Sequence, residues 1–305
     1  MLIRVLGAAA GGGFPQWNCN CRNCRGVRAG TLKATPRTQS SIAISSDGAQ
    51  WVLCNASPDL HRQIAANSAL QPRTGVRDTP IAAVLLVDGQ IDHTMGLLLL
   101  REHRQRLEVW TTEAVRTDLT AGLPLLSVLQ HYCGVEWHPI GIDGRPFQIP
   151  ALPGIAITAL PVEGKPGPYS PHRQNPRTGD NIALSFCDLQ TGHQALYAPG
   201  LAAITAPIAL ALQASQCVLV DGTFWRDDEM IAAGVSSKRA SELGHLPQSG
   251  AGGMIERLST LPPGARRILI HINNTNPILD EQSAERAELA AAGIEVAFDG
   301  LEIRL

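Results

Sequence analysis

The sequence lacks the features that mark several large classes of protein. No apolar run approaches the roughly 20 residues of a membrane-spanning helix. Residues 1–6 have neither the basic segment nor the long apolar segment of a secretory signal peptide, and no short repeat or low-complexity segment occurs. The 25 basic and 27 acidic residues are interspersed, with a net charge of −2, so no basic surface for nucleic acid is indicated. We therefore expect a cytoplasmic globular protein without a membrane or nucleic-acid partner.

The chain does contain enough apolar sequence for a substantial core. Of its 305 residues, 44% are hydrophobic and 17% are charged. Strand and helix patterns alternate in two β-rich halves, each flanked by helices, which favours two sheets packed face to face between outer helices. The predicted strands lie at 2–6, 39–46, 50–55, 81–87, 107–111, 154–162, 181–187, 194–198, 216–220 and 266–272, with two more within 135–150 and a final strand pair at 294–298 and 301–305.

One turn stands out for its chemistry. The stretch LVDGQIDHTMG (86–96) places an acid and an imidazole, Asp92 and His93, directly after an apolar strand. The carboxyl ends of strands are where α/β proteins carry their active sites. Taken alone, Asp92 could simply cap a helix beginning at His93. Because Asp221 and His271 also occur at strand ends, however, the pattern favours a metal site between two sheets.

The seven cysteines fall into two groups. Three of them, Cys19, Cys21 and Cys24, lie within six residues in a loop over about 14–26. In a reducing compartment, clustered thiols more often bind metal than form disulfides, and Zn²⁺ in a structural site is the natural candidate. The alternative is three unlinked thiols, and a zinc site would still need a fourth ligand. The remaining cysteines are expected to be small buried apolar residues: Cys54, Cys133, Cys187 and Cys217.

The Asp92-His93 turn and the strand-end residues Asp221 and His271 together resemble the metallo-β-lactamase fold superfamily. The small-residue loop at 7–13 and the Cys-x-Cys-x-x-Cys motif narrow the resemblance to the pyrroloquinoline quinone (PQQ) biosynthesis protein B family, over nearly the whole chain. The resemblance implies an α/β (α+β) fold, with one metallo-β-lactamase-like domain over 1–305 built as a four-layer αββα sandwich. Further segments that carry it are GQIDH (89–93), LVDGTFW (219–225), GHLP (244–247) and HINNTNP (271–277).

The chain departs from the hydrolases of that superfamily at several ligand positions. Those enzymes carry histidines where this chain has Asp88 and Gln90, and no histidine lies at 160–166, where another ligand is usual. A full dinuclear hydrolase site is therefore not expected. The remaining residues, Asp92, His93 and His271, form the 2-His-1-carboxylate set of mononuclear non-haem Fe²⁺ oxygenases. The resemblance implies the same chemistry, an oxidoreductase that hydroxylates the tyrosine ring of a Glu-Tyr unit from a precursor peptide during PQQ biosynthesis.

Two alternatives stay open beside the oxygenase. One is a metal-dependent hydrolase or phosphodiesterase, supported by the fold and by His245, which resembles an acid/base or substrate-binding histidine of superfamily phosphodiesterases. A helix-capping or core role for His245 is the plainer interpretation. The other is a non-catalytic carrier for the transport of PQQ or its precursor to the periplasm, although no transport machinery is visible. Expected partners are a small peptide-derived substrate, other PQQ biosynthesis proteins and, for a homodimer, a second copy of the chain.

The resemblance also suggests roles for residues around the two metal sites. Asp221 is expected either to bind metal or to orient a ligand. We expect Asp88 and Gln90 to line the pocket, with Asp88 bonding an imidazole or a substrate amine. Asn274 matches a histidine that serves as a fourth structural zinc ligand in related phosphodiesterases, with water or another side chain as the alternative.

A long loop follows the predicted strand at 154–162. Residues 163–180 contain four prolines and three glycines and scarcely any apolar residues, which is typical of a lid or a binding loop. Lys165 and Arg173 on this loop are candidates for gripping a substrate carboxylate. Of the histidines outside the motifs, His172 is the one whose place on this loop merits attention.

Overall fold

The computed structural model describes residues 1–305 and contains thirteen strands and nine α-helices. The strands are β1 (Leu2–Gly7), β2 (Ser41–Ser45), β3 (Trp51–Cys54), β4 (Ile81–Leu85), β5 (Leu107–Thr111), β6 (Val135–Pro139), β7 (Ile155–Pro161), β8 (Ile182–Asp188), β9 (Gln194–Ala198), β10 (Cys217–Asp221), β11 (Arg266–Ile270), β12 (Ile294–Val296) and β13 (Glu302–Arg304). The α-helices are α1 (Arg22–Arg28), α2 (Leu60–Ala66), α3 (Ile91–Thr94), α4 (Glu113–Thr117), α5 (Leu125–Leu129), α6 (Ala206–Ala214), α7 (Glu229–Ala232), α8 (Met254–Ser259) and α9 (Ala284–Ala291).

The strands form two mixed sheets. The first has the order β13-β1-β2-β3-β4-β5-β6, and the second has the order β12-β11-β10-β9-β8-β7. The pairs β2–β3 and β8–β9 are antiparallel hairpins, as predicted, whereas β3 to β6 and β9 to β12 run parallel to their neighbours. None of the helices has the length and apolar character needed to span a membrane.

The sheets pack face to face because their strands are apolar on both faces. On β4, Ala83 and Leu85 point into the core between the sheets, while Val84 packs under the outer helices. On β10, Leu219 faces the same central core and Val218 faces the outer layer. Alternate residues of a strand point to opposite faces, so a strand covered by helices on one side and a sheet on the other reads as a continuous apolar run.

Helices cover both outer faces and complete the four layers. Leu60 of α2 and Val115 of α4 pack against the first sheet, while Ile208 of α6, Leu258 of α8 and Leu289 of α9 pack against the second. The predicted αββα sandwich is confirmed.

Some element predictions were wrong in detail. The predicted final pair at 294–298 and 301–305 does not pair with itself: β12 lies beside β11, and β13 lies beside β1 in the other sheet. Between them the chain crosses from one sheet to the other, and Asp299 accepts hydrogen bonds from the backbone of Ala8 and Thr38 at this crossing. Only one strand, β6, forms within 135–150, followed by a single bridge from Phe147 to Ile157.

Candidate metal centres

Three candidate metal-binding side chains meet where the two sheets come together. β4 is followed by the turn 86–90 and then by α3, which carries Asp92 and His93, while His271 directly follows β11. The structure brings donor atoms of these three side chains within 4.8 Å of one another. Because α3 begins at Ile91, Asp92 lies inside its first turn and caps no helix. The capping interpretation of Asp92 was therefore wrong.

The spacing of the three donors suits a metal ion. Asp92 Oδ2 lies 3.4 Å from His271 Nε2 and 3.7 Å from His93 Nε2. These gaps are long for hydrogen bonds. They are close to the separation of about 3–3.5 Å between ligand atoms that each lie about 2.0–2.2 Å from one zinc-sized ion. His93 Nε2 is also buried without a hydrogen-bond partner, so the residues fit a bound metal.

The other nitrogen of each imidazole is held in place. His93 Nδ1 lies 2.8 and 2.9 Å from the two carboxylate oxygens of Asp88, and His271 Nδ1 lies 2.9 Å from Thr223 Oγ1. A partner at Nδ1 orients the ring and leaves the Nε2 lone pair for a metal. Asp88 thus bonds an imidazole, one of the two roles expected for it.

Asp221 contacts a third imidazole. Its Oδ2 lies 2.7 Å from His245 Nδ1 and accepts the Leu201 backbone N–H at 2.8 Å, while its Oδ1 accepts both the N–H and the hydroxyl of Thr223. Asp221 is thus placed to orient His245, and the donor atoms of Asp221, His245 and His271 also lie within 4.8 Å of one another, as a metal site would require. The His245 ring lies 5.5 Å from that of His271, so this histidine borders the centre and caps no helix.

The backbone around His271 is unusual. Its φ of 61° lies in the left-handed region, which non-glycine residues rarely occupy. Two contacts hold the segment: the Ile272 N–H donates to the Ala8 carbonyl oxygen, and His271 Nδ1 lies 2.9 Å from Thr223 Oγ1. The small-residue loop at 7–13 also passes close to the centre, because a β carbon on Gly11 would lie 3.3 Å from the Asp92 carboxylate. A strained backbone of this kind persists where many surrounding contacts hold it in place, which is often the case at functional sites.

The charges of the centre are strongly coupled. Burial disfavours the charged form of His93, but the carboxylates of Asp88 and Asp92 outweigh it and raise the pKa of His93 to about 9. Burial alone would raise the pKa of Asp92, which also disfavours its charged form. The neighbouring His93 and His271 outweigh this effect and hold the pKa of Asp92 well below the usual range. The Asp221 carboxylate likewise raises the pKa of His245 against the effect of burial. In the metal-free protein, His93 therefore carries a proton that a metal must displace.

The three clustered cysteines form a second centre with Asn274. The sulfur atoms of Cys19, Cys21 and Cys24 lie within 4.8 Å of one another, and Asn274 Nδ2 lies 3.0, 3.7 and 3.4 Å from them in that order. Half a turn of the Asn274 amide would present its oxygen as a fourth donor. A hydrogen bond from Cys21, with a further one from Asn274, lowers the pKa of Cys24 to about 7 against the effect of burial. The set fits a closed tetrahedral zinc site.

One loop connects the two centres. Asn274 of the thiolate centre follows His271 by three residues, so the loop 271–276 supplies donors to both. Asn23 Nδ2 donates to the carbonyl oxygens of Asn274 and Asn276, and Asn276 Nδ2 donates to the Gly222 carbonyl oxygen at 3.0 Å. The sequence analysis did not find Asn23 and gave no role to Asn276 of the HINNTNP segment, because amides that bond only to backbone have no spacing pattern.

The residues expected to line the pocket or to grip a substrate make different contacts. Gln90 Nε2 donates to the Lys165 carbonyl oxygen at 3.4 Å, which places Gln90 between the turn and the long loop. The side chain of Lys165 is exposed and free to meet a substrate. Arg173, by contrast, donates to the Pro166 carbonyl oxygen inside the loop, so its predicted grip on a substrate carboxylate has no support here.

Two mixed sheets between helices, with histidines and aspartates at strand ends, define a protein of the metallo-β-lactamase fold. Residues 50–272 match the beta-lactamase superfamily domain. A diphosphatase from the PhnP family has the same fold, with a TM-score of 0.66 and 17% identity over 99% of this chain and 96% of that one.

The chain belongs to the coenzyme PQQ synthesis protein B family. It is 59% identical to that protein of Cupriavidus necator over 303 residues, which cover 99% of both chains. It is 60% identical to that of Ectopseudomonas mendocina over 306 residues, which cover all of both chains. The crystal structure of Zn²⁺-bound PqqB from Methylobacterium extorquens superposes over all of both chains, with a TM-score of 0.90 and 37% identity. The family resemblance expected from the motifs is confirmed.

Proposed function

We propose that this protein is a metal-dependent enzyme of PQQ synthesis that uses Fe²⁺ and dioxygen to hydroxylate the tyrosine ring of a Glu-Tyr unit from a precursor peptide. The names of its relatives support the place in PQQ synthesis. The single observation that supports the iron chemistry is the donor set of Asp92, His93 and His271, whose donor atoms lie within 4.8 Å of one another. Two imidazoles and one carboxylate that leave open positions are typical of non-haem Fe²⁺ oxygenases.

When bound, the Fe²⁺ ion would supply open positions for dioxygen and for activation of the substrate. The protein contributes the orientation of that ion. Asp92, His93 and His271 would hold it, while Asp88 and Thr223 keep the two imidazole rings turned so that Nε2 faces the metal. The ring of a peptide-derived tyrosine would lie beside these residues, under the long loop that contacts Gln90.

His245 is placed to move a proton during the reaction. Its Nδ1 is anchored to Asp221, its ring borders that of His271, and the Asp221 carboxylate favours the charged imidazolium. An imidazole held in this way can give a proton to, or accept one from, a phenol hydroxyl at its other nitrogen. We assign His245 this acid/base role.

A second candidate function is metal-dependent hydrolysis, favoured by the anchored pair of Asp221 and His245. A dinuclear hydrolase needs further free donors beside the first metal. Asp88, however, is bonded to His93, and both oxygens of Asp221 are engaged by protein groups. The donor set therefore favours the oxygenase over the hydrolase.

The decisive experiment is anaerobic reconstitution with Fe²⁺, followed by exposure to isotopically labelled dioxygen with a Glu-Tyr peptide and ascorbate as the two-electron reductant. We expect one labelled oxygen atom in the tyrosine ring, the other leaving as water, and no labelled product from the His93→Ala variant. Hydrolysis of a generic phosphodiester with two metals bound at the Asp92 centre would replace this proposal with the hydrolase. Tight binding of PQQ with no turnover under any metal would replace it with the carrier.

A further inference from the structure

The long loop between β7 and β8, residues 162–181, lies directly against the turn that carries the metal ligands. The Tyr169 hydroxyl donates to the carbonyl oxygen of Gly89. At its far end, Asn181 forms a bridge with Asp88, and the Ile182 N–H that follows bonds the Val87 carbonyl oxygen at 2.9 Å. The loop therefore contacts the residue that orients His93, although it supplies no metal ligand itself.

Tyr169 occupies a slot lined by glycines from three separate segments. A β carbon on Gly89 would lie 3.2 Å from the Tyr169 hydroxyl oxygen, one on Gly122 would lie 2.6 Å from the Tyr169 carbonyl oxygen, and one on Gly167 would lie 2.8 Å from its ring. A larger residue at Gly122 or Gly167 would collide with Tyr169, and one at Gly89 would press tightly on its hydroxyl. The close approach of Tyr169 to the turn is thus built into the chain at Gly89 and Gly122.

A buried triad of ionisable side chains, two of them joined by a hydrogen bond, holds the loop in this position. His172 Nε2 lies 2.7 Å from Asp180 Oδ1, and His172 Nδ1 lies 3.5 Å from Asp118 Oδ1. Asp118 is fully buried, and Asp180 and His172 are 1% and 6% exposed. The triad joins both halves of the loop to the π-helical turn that begins at Asp118.

The triad offers fewer free donors than a typical zinc site. Asp180 uses one oxygen for His172 and the other for the Arg177 N–H at 2.7 Å. Only Asp118 and His172 Nδ1 remain as free donors, which is fewer than the three or four protein ligands of a typical zinc site. Asp118 Oδ1 and His172 Nδ1 face each other at 3.5 Å, which is long for a hydrogen bond, and both are buried without a hydrogen-bond partner.

We propose that Tyr169 is a positioning residue for the catalytic metal: held by the Asp118–His172–Asp180 triad, its hydroxyl immobilises the Gly89 peptide and so the Asp88 carboxylate that orients His93. This inference rests on the metal centre of the proposed function. Asp88 also accepts the Gln90 N–H at 2.9 Å. A shift of the Gly89 peptide would therefore move Asp88 itself and also the Gln90 N–H that bonds the Asp88 carboxylate.

The test is the Tyr169→Phe variant, which keeps the ring in its slot and removes only the hydroxyl. Co²⁺ serves as the probe, since its ligand-field absorbance reports on the coordination geometry. We expect Co²⁺ affinity at the imidazole centre to fall about tenfold, as is usual for the loss of a group supporting a ligand, and the absorbance to change. The thiolate-to-cobalt absorbance of the cysteine centre should be unchanged. Tyr132→Phe, at a residue 61% exposed, is the matched control.

Two variants of the triad test the rest of the inference. His172→Gln should weaken Co²⁺ binding in the same way and should speed amide hydrogen exchange across residues 162–181. Asp118→Asn should leave the number of bound metal ions unchanged. If the Asp118→Asn variant binds one metal ion fewer than the wild type, the proposal is overturned, because the triad would then be a metal site.

The outcomes separate this inference from the proposed function. A Tyr169→Phe protein that binds Co²⁺ at the imidazole centre with wild-type affinity and spectrum contradicts the positioning role alone. Wild-type protein that binds no Co²⁺ at that centre contradicts the positioning role and the proposed function together.

Discussion

Metal binding at the centre formed by Asp92, His93 and His271 should tighten as the pH rises. A metal can bind His93 Nε2 only after the ring has lost its proton, and the surrounding carboxylates outweigh burial to raise the pKa of His93 to about 9. Below that pH, the apparent affinity should fall about tenfold per pH unit. At pH 7 this competition costs about 2.7 kcal/mol, so binding should be about 100-fold weaker than at its plateau.

The assay is competition for Co²⁺ against a chelator of known affinity, repeated between about pH 6.5 and pH 9.5. In the Asp88→Asn variant, the charge that favours protonated His93 is gone, so the pH-dependent range should move to lower pH. The plateau affinity should also fall about 10–100-fold, because His93 loses its anchoring carboxylate. Asp143→Asn, which changes an exposed aspartate, is the matched control. An affinity that stays level between about pH 7 and pH 9 would refute this reasoning.

The metal-free protein should respond to pH in the opposite direction. The pKa of His93 is higher in the folded state than its ordinary 6.5, so its contribution to stability is fully present below pH 6.5 and is lost as the pH rises through about 9. The difference corresponds to about 3 kcal/mol. Urea unfolding of the metal-free protein at pH 6 and at about pH 9.5 measures it. Equal stability at the two values would show that His93 is not charged in the folded state.

Three further predictions concern the metal ligands and the groups around them. His93→Ala should abolish metal binding at the imidazole centre and leave the thiolate zinc in place, which metal analysis can count; loss of both metals would show that the centres depend on each other. Cys21→Ser should lower both zinc content and melting temperature, because zinc binding is coupled to folding, and unchanged values would contradict the zinc assignment. Thr223→Val removes the hydroxyl between Asp221 and His271 and should lower the free energy of unfolding by about 1–3 kcal/mol; urea unfolding that matches wild type would show no net gain from these bonds.

Much of the metal centre could be predicted because its residues follow apolar strands. The runs before Asp92 and His271 are buried on both faces and end where polar residues begin, and the face-to-face packing of the two sheets brings these ends together. The roles of the carboxylates were harder to predict. Asp88 and Asp221 are the same residue type at similar strand ends, and only the structure shows each bonded to the Nδ1 of a different histidine.

Contacts between distant segments that carry no motif could not be predicted. The slot for Tyr169 depends on Gly89 and Gly122, which lie 80 and 47 positions away and share no motif with it. The placement of β12 and β13 in different sheets could not be predicted for the same reason. Short strands of ordinary composition carry no mark of which sheet they join, and here the buried crossing at Asp299 decides it.

The loop 271–276 also bears on which metals the protein acquires. At Asn274 it borders the soft, sulfur-rich site of the three cysteines, and at His271 it belongs to the site of imidazole and carboxylate. Ligands of the second kind bind Zn²⁺ more tightly than Fe²⁺, so affinity alone would fill both sites with zinc. An iron-dependent activity at His271 therefore relies on a cell that keeps free zinc scarce while this loop acquires its metals. If the proposed iron chemistry holds, protein produced with abundant zinc would carry the wrong metal at the imidazole centre.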